Sequence, residues 1–495
     1  MAIHSDFRRD WLSNPKREFL AGLVVALALI PEAIGFAIIA GVDPRVGLYA
    51  SFSIAVIISM IGGRPGMISA ATAAVAVLVV PLVRDHGVEY LFAATILMGI
   101  FQAIAALLRL DLLMRFVSRS VITGFVNALA ILIFMAQVPQ LTGEAFTWQT
   151  YAMVAAGLAI IYGLPKITTL IPSPLAAIVV LAGVSIYFRA DVFTVGDMGE
   201  LPDSLPWFHI PQIPITWETL RIIAPFSLAM AAVGLLESLL TASIVDDMTE
   251  TRSDKKRETY GQGIANFVTG WIGGMGGCAM IGQSVINIKS GGTRRLSTFV
   301  AGVMLLVLIV GLGPLVAQIP MPALVAVMIF VSISTFRWQS FTEITHHPWP
   351  SNFVMIATVV MVVATHDLSI GVLTGVLLSG IFFAWKVRQL VTIQDFVEVT
   401  THRYVFGGQI FLGSVDMMYE AMEFNEEGID HVVIDVHDAH FWDISATGML
   451  DKIVERLQNE GKTVELIGMN EASATLVEKY SDNDKPFESL GVVGH

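Results

Sequence analysis

The chain has 495 residues, 55% of them hydrophobic and only 14% charged, with a mean hydropathy of +0.70. Soluble domains carry about 25% charged residues, so a wholly soluble fold is excluded. The net charge of -13 is concentrated in the C-terminal tail and in one loop (Asp191, Asp197, Glu200, Asp203, Glu218), and no basic, aromatic-studded surface points to nucleic acid.

The first residues, MAIHSDFRRDWLSNPKREF (1–19), are charged and amphipathic and lack the apolar core and cleavage site of a secretory signal. From Leu20 to Trp385 the sequence is a series of apolar runs of roughly 17 to 25 residues, long enough to cross a bilayer. About fourteen crossings are expected, beginning near Leu20, Val46, Ala70, Tyr90, Ser120, Tyr151, Pro174, Ile222, Tyr260, Gly282, Thr298, Pro322, Phe353 and Leu368. With the N-terminus inside, nineteen of the 29 Lys and Arg fall on inner segments and four on outer ones. The inner set includes Arg8, Arg9, Arg64, Arg115, Lys255 and Arg295; the outer set is Arg45, Arg84, Arg189 and Arg221. By the positive-inside rule this predicts a multi-pass protein of the cell membrane, with the N-terminal segment 1–19 and the tail both cytoplasmic. The transmembrane domain is expected over 20–390 and the tail domain over 391–495.

In the first span, LALIPEAIGFAIIAG places Glu32 at depth. Pro31 removes a helical hydrogen bond and favours a break there, which suits a cavity wall. Phe36 lies four residues on, on the same face, and could cover a solute; simple packing is the commoner role of such a Phe.

GGRPGMISA (Gly62 to Ala70) then has a twin, GGMGGCAMI (Gly273 to Ile281). Both read GGxxG, and the charge pattern starts them at opposite faces. Matching interruptions in two halves point to inverted repeats with a site where they meet. Glycine lets the backbone enter extended and turn into a helix that begins at the midplane, where its first N–H groups lack partners and carry positive potential. Two such tips would hold an anion without a fixed cation. The candidate amides belong to Ala71, Thr72 and Ala73 and to Gly282, Gln283 and Ser284. The alternative is that the glycines serve close helix packing.

Glu237, in FSLAMAAVGLLESLLTASIVDD, falls about 22 Å along its span, inside the hydrocarbon. An acid there is a functional candidate, able to carry a proton or, if partnered, a sodium ion. Thr241 is one turn on and could add an oxygen. A structural acid bonded to nearby backbone is the other possibility. The single cysteine, Cys278, can form neither an intrachain disulfide nor a cysteine zinc cluster. His346-His347 lacks spaced partners, so no metal or cofactor is expected. No GxSxG, HExxH or paired catalytic aspartates suggest an enzyme.

After Val391 short apolar strands alternate with amphipathic helices: RYVFGGQIFLG as strands, DMMYEAMEFNEEG as a helix, HVVIDVHDA as a strand, SATGMLDKIVERLQNEG as a helix and TVELIGMN as a strand. This is the order of a small α/β domain. Gly461-Lys462-Thr463 is no phosphate loop, because the required earlier glycine is Arg456. Ser445, in the Asp443-Ile444-Ser445 stretch, is expected as a helix cap.

The run ALIPEAIGFAIIAGVDPRVGLYA (Ala28 to Ala50) resembles the first-span signature of the sulfate permease (SulP) family of anion transporters. GQGIANFVTGWIGG with QSVIN and SGGTRRLS resembles its ninth and tenth spans, and the tail resembles its cytoplasmic STAS domain. The resemblance, to a bacterial member, implies a seven-plus-seven inverted repeat with discontinuous spans 3 and 10. Spans 1–4 and 8–11 would form a core, and spans 5–7 and 12–14 a gate. It implies a homodimer and an elevator-type cycle. Glu32 falls where the family usually has Gln, Gln283 where many members have Arg, and Ala73 where several have Phe. An added acid and a missing cation favour a carboxylate entering with protons over sulfate. An uncoupled exchanger or channel, or a sodium-coupled bicarbonate or sulfate symporter, is the alternative.

Overall fold

The computed structural model describes residues 10–11, 13–110, 117–142, 148–168, 172–365 and 368–480. Arg8, Arg9, Arg115 and the tail beyond 480 lie outside the described residues. The chain divides into two compact units, Met1–Val376 and Leu377–His495.

The first unit is helical. Helix α1 (Pro15–Ala40) starts with Pro at its first turn and stops at Gly41, whose φ of 77° satisfies the last carbonyls as only glycine does readily. The expected break at Pro31 is absent: α1 runs through it. A membrane helix tolerates the missing N–H where neighbouring helices enclose the freed carbonyl, and α1 is packed on several. Helix α2 (Pro44–Ile61) follows, then a three-residue strand β1 (Ser69–Ala71) leading into α3 (Ala73–His86), and α4 (Val88–Leu107). Next come α5 (Arg119–Met135), the short α6 (Val138–Thr142), α7 (Trp148–Gly163) and α8 (Ser173–Phe188).

The second half opens with α9 (Trp217–Thr249), whose 33 residues span about 50 Å and so outrun the hydrocarbon. It begins before the expected Ile222. Helix α10 (Lys255–Gly270) precedes strand β2 (Gly277–Ala279), the short α11 (Ile281–Lys289) and α12 (Arg295–Val316). Then follow α13 (Met321–Thr335), α14 (Gln339–Glu343), α15 (Trp349–Thr365) and α16 (Leu368–Arg388). Among the described residues, eight helical segments are long and apolar enough to cross a membrane, and Ser173–Phe188 and Trp349–Thr365 are shorter apolar helices.

Packing in the two halves matches element for element. α4 lies on α10 as α12 lies on α2; α9 lies on α3 as α1 lies on α11; α5 lies on α15 as α13 lies on α7. The interior is a continuous apolar cluster that includes Leu29, Ile34, Leu48, Ile54, Val75 and Met98.

The second unit holds a four-stranded sheet, β3 (Thr392–Glu398), β4 (Thr401–Ile410), β5 (His431–Phe441) and β6 (Thr463–Ile467), in that spatial order. β3 and β4 are antiparallel; β4 with β5 and β5 with β6 are parallel. Helices α17 (Val415–Glu420), α18 (Ile444–Asn459) and α19 (Glu471–Tyr480) complete the α/β domain. The helix expected over DMMYEAMEFNEEG shrinks to α17. Ser445 is not the cap of α18: Asp443 is, its Oδ1 accepting the Ala446 N–H at 3.0 Å and its Oδ2 the Leu412 N–H at 2.8 Å. A carboxylate at that position accepts two backbone bonds where one hydroxyl would serve fewer.

Candidate functional site

The twin glycine segments meet. β1 and β2 pair antiparallel, with Ser69 opposite Ala279, Ala70 opposite Cys278 and Ala71 opposite Gly277. Each strand leads within two residues into a helix, so α3 and α11 start from one shared centre and leave in opposite senses. Gly277 is required there, because a Cβ would collide with the Ala70 carbonyl oxygen.

Buried polar side chains build this centre. Asn266 on α10 accepts the Gly277 N–H at 2.9 Å and donates to the Gly277 carbonyl at 3.0 Å. Ser238 on α9 accepts the Ala279 N–H at 3.0 Å. Ser284 on α11 accepts the Ile68 N–H at 2.9 Å, and the Met280 N–H donates to the Ile68 carbonyl at 2.8 Å. Gln262 donates to Ser69 Oγ at 2.8 Å and to Glu258 at 2.9 Å; Glu258 in turn accepts the Gly63 and Arg64 amides. Residues of the second half thus hold the loop of the first.

The half-helix tips are left open. Neither Thr72, at the N-cap of α3, nor Met280, at that of α11, caps its helix with a side chain. The first intrahelical bonds are from Ala76 to Thr72 and from Ser284 to Met280. Among the described residues, the amides of Ala73, Ala74 and Val75 and of Ile281, Gly282 and Gln283 therefore have no partner. The amides of Ala71 and Ser284, named from the sequence beside these, are engaged: Ala71 donates to Ser51 Oγ at 3.3 Å and Ser284 to Met280. Gly282 faces open space, and with Ile281 it borders a cavity of about 820 Å³ that also touches Leu240, Asp247, Arg119 and Arg337.

Two acids flank the centre. Glu32, half-buried on α1, is in hydrogen-bonding contact with the side chain of Gln283. Phe36 is buried and belongs to the apolar cluster. Glu237, half-buried on α9, accepts the thiol proton of Cys278 at 3.0 Å. Thr241 turns its hydroxyl to the Glu237 backbone carbonyl, 2.7 Å away. Cys278 Sγ also lies 3.2 Å from Thr72 Oγ. No Lys or Arg pairs with either acid among the described residues. The arrangement offers six unpartnered N–H groups of positive potential beside two carboxyls: the means to hold an anion and to carry a cation with it. The role of Cys278 is missed by sequence reading, since it sits 41 residues from Glu237 and only the strand pairing brings it there.

Comparison with known proteins gives concordant matches. The sulfate permease family profile matches residues 16–155 and 144–359, and the STAS domain profile matches 397–489. The chain is 56% identical over 474 residues to the "Putative sulfate transporter YbaR" of Bacillus subtilis, covering 96% of this chain and 98% of that protein. It is 24% identical over 506 residues to the bicarbonate transporter BicA of Picosynechococcus, covering 92% and 89%. Among solved structures, the transmembrane domain of a cyanobacterial BicA aligns with TM-score 0.65 at 24% identity, over 74% of this chain and 98% of that one. The murine anion transporter Slc26a9 in its inward-facing state aligns with TM-score 0.82 at 14% identity, over 98% and 90%.

Proposed function

The chain belongs to the sulfate permease family, and from that premise we propose that it is a proton-coupled symporter of a small carboxylate or dicarboxylate. It is a multi-pass membrane transporter of anions with a C-terminal STAS domain, and not an enzyme. The observation that carries the finer reading is the bond from Cys278 to Glu237. It ties an intramembrane acid to the strand from which the second anion-attracting tip springs. A thiol is a hydrogen-bond donor to a carboxylate and a poor ligand for a hard cation, which favours a proton over sodium at Glu237.

Substrate choice follows from charge. The tips attract an anion, yet Glu32 stands beside Gln283 with no cation among the described residues to offset it. A carboxylate can shed its charge by taking up a proton where sulfate at neutral pH cannot. Both relatives' names point elsewhere, to sulfate and to bicarbonate, and sulfate is the second reading because YbaR is the nearer of the two. We further propose a seven-plus-seven inverted repeat over 20–390, supported by the matched packing of the two halves. Also proposed are a core of spans 1–4 and 8–11 moving as an elevator against the remaining spans, a homodimer, and an N-terminus and STAS domain on the cytoplasmic side.

The experiment is uptake by the purified full chain in liposomes. Labelled succinate, sulfate and bicarbonate are offered with an inward proton gradient, an inward sodium gradient, or neither. Succinate accumulation driven by protons and abolished by a protonophore is expected. Sulfate or bicarbonate uptake indifferent to pH, with no succinate uptake, overturns the proposal.

A further inference from the structure

We propose that Cys278 is a relay through which a proton on Glu237 adds a hydrogen-bond donor to the anion site at Thr72. This rests on the reading of Glu237 as the coupling acid. Cys278 is fully buried on β2, between Glu237 of α9 at 3.0 Å and Thr72 at 3.2 Å. A thiol has one proton to give and lone pairs to receive, so its two bonds cannot both be donated.

With Glu237 ionised, the carboxylate only accepts. The S–H points to it, and the Thr72 hydroxyl donates the second bond, to Sγ. That hydroxyl proton is then turned away from the tip of α3. With Glu237 protonated, its O–H donates to Sγ instead. The S–H turns to Thr72 Oγ, which now accepts, and the Thr72 proton is released. Thr72 is the N-cap residue of α3, and its side chain makes no capping bond to the helix. Its freed proton stands beside the unpartnered amides of Ala73, Ala74 and Val75, where an anion would bind. The one net change is the proton gained by Glu237; the rest is rotation of two hydrogen-bond donors. The sign is that of symport: the proton strengthens anion binding, and by linkage the anion strengthens proton binding by the same factor.

Few other groups compete. α4 carries Glu89, which is bonded to His209. α10 carries Glu258, bonded to Gly63, Arg64 and Gln262. α3 has Arg84, Asp85 and His86 in its last turn, α11 has Lys289 in its last turn, and Glu32 of α1 contacts Gln283. Among the described residues none of these bonds to Glu237 or Cys278, and the Thr241 hydroxyl is directed to backbone.

Two measurements test the relay. Because the chain has one cysteine, the S–H stretching band in the infrared spectrum of the full-length protein belongs to Cys278 alone. It is expected to shift on acidification in the wild type and to stay fixed in Glu237→Gln; a band that never moves in the wild type overturns the relay. In liposomes, the apparent KM for labelled succinate, or labelled sulfate if that is the anion taken up, is followed from about pH 8 to about pH 5. A fall of about tenfold is expected in the wild type, the worth of one hydrogen bond to a charged group. Cys278→Ala and Thr72→Val should flatten it to under about twofold, and Cys278→Ser and Thr72→Ser should restore it. Full pH dependence in Cys278→Ala or Thr72→Val overturns the relay and leaves proton symport standing. A wild-type KM flat with pH and unaltered by Glu237→Gln removes the coupling acid itself. Should Cys278→Ala fail to fold, the infrared band of the wild type decides.

Discussion

Asn266 binds Gly277 at both of its backbone polar groups, as a neighbouring strand would, and so stands in for a third strand beside the β1–β2 pair. Its Nδ2 is also 2.9 Å from Gln102 Oε1, which fixes the amide's orientation. Leaving buried backbone groups without partners costs about 1–3 kcal/mol each. Asn266→Ala should therefore lower the thermal midpoint of the detergent-purified protein and abolish uptake. Asn266→Asp keeps the acceptor for the Gly277 N–H and should fall between. Wild-type melting and uptake in Asn266→Ala would show that the strand pair stands without it.

Gly277 in the second twin segment and Gly282 just beyond it should behave in opposite ways. Gly277 has the Ala70 carbonyl in the place of a Cβ, whereas Gly282 has nothing within 4 Å. Gly277→Ala should prevent the strands from pairing and give little folded protein. Gly282→Ala should fold normally, because helix position suits alanine better than glycine by about 1 kcal/mol, while its methyl narrows the cavity and raises KM. Size-exclusion profiles and uptake separate the two; equal tolerance at both positions would refute the pairing.

Glu237→Gln retains a neutral, hydrogen-bonding side chain and removes the titratable group. Uptake should persist as downhill exchange but lose its drive by a proton gradient, read as the steady-state accumulation ratio falling to about one. Accumulation against a gradient in this variant would assign coupling to another residue.

In the second unit, Tyr404 is buried with its hydroxyl accepting the Glu423 N–H at 3.0 Å and lying 3.1 Å from His402 Nδ1. Desolvation raises its pKa from 10.0 to about 12. The folded state therefore holds the phenolic proton longer than the unfolded chain does. The associated stability is complete below pH 10 and declines as pH rises towards about 12. Denaturant midpoints measured across this window should fall in the wild type and fall less in Tyr404→Phe.

Asp443→Ala should destabilise the same unit by about 0.5–2 kcal/mol through loss of the α18 cap, with the further loss of the Leu412 bond. Ser445→Ala should change little. Both are read from the denaturant midpoint.

How much of this was legible beforehand depended on periodicity. Long apolar runs and the glycine twins are local patterns, and they announced a membrane protein with two interrupted segments. SAA and GCA are too short to alternate, so the strand pairing itself left no trace in either half. Pro31 misled because its cost in an isolated helix is local, while the packing that offsets it comes from distant elements. Ser445 misled for a related reason: the cap was chosen by where the chain leaves Leu412, far away in sequence. β3, largely exposed, has no buried face to mark it. Glu32 and Glu237 stood out as acids in hydrocarbon, but their partners Gln283 and Cys278 became visible only in three dimensions.

Because Ser69–Ala71 and Gly277–Ala279 are laced by buried backbone bonds, the two tips form one mechanical piece. A cargo bound at the proposed site between them has no jaws to force apart. In the proposed elevator cycle, release to either side depends on walls that slide past the whole piece, so changes in turnover speed should concentrate on those sliding surfaces, and changes in selectivity on the piece itself.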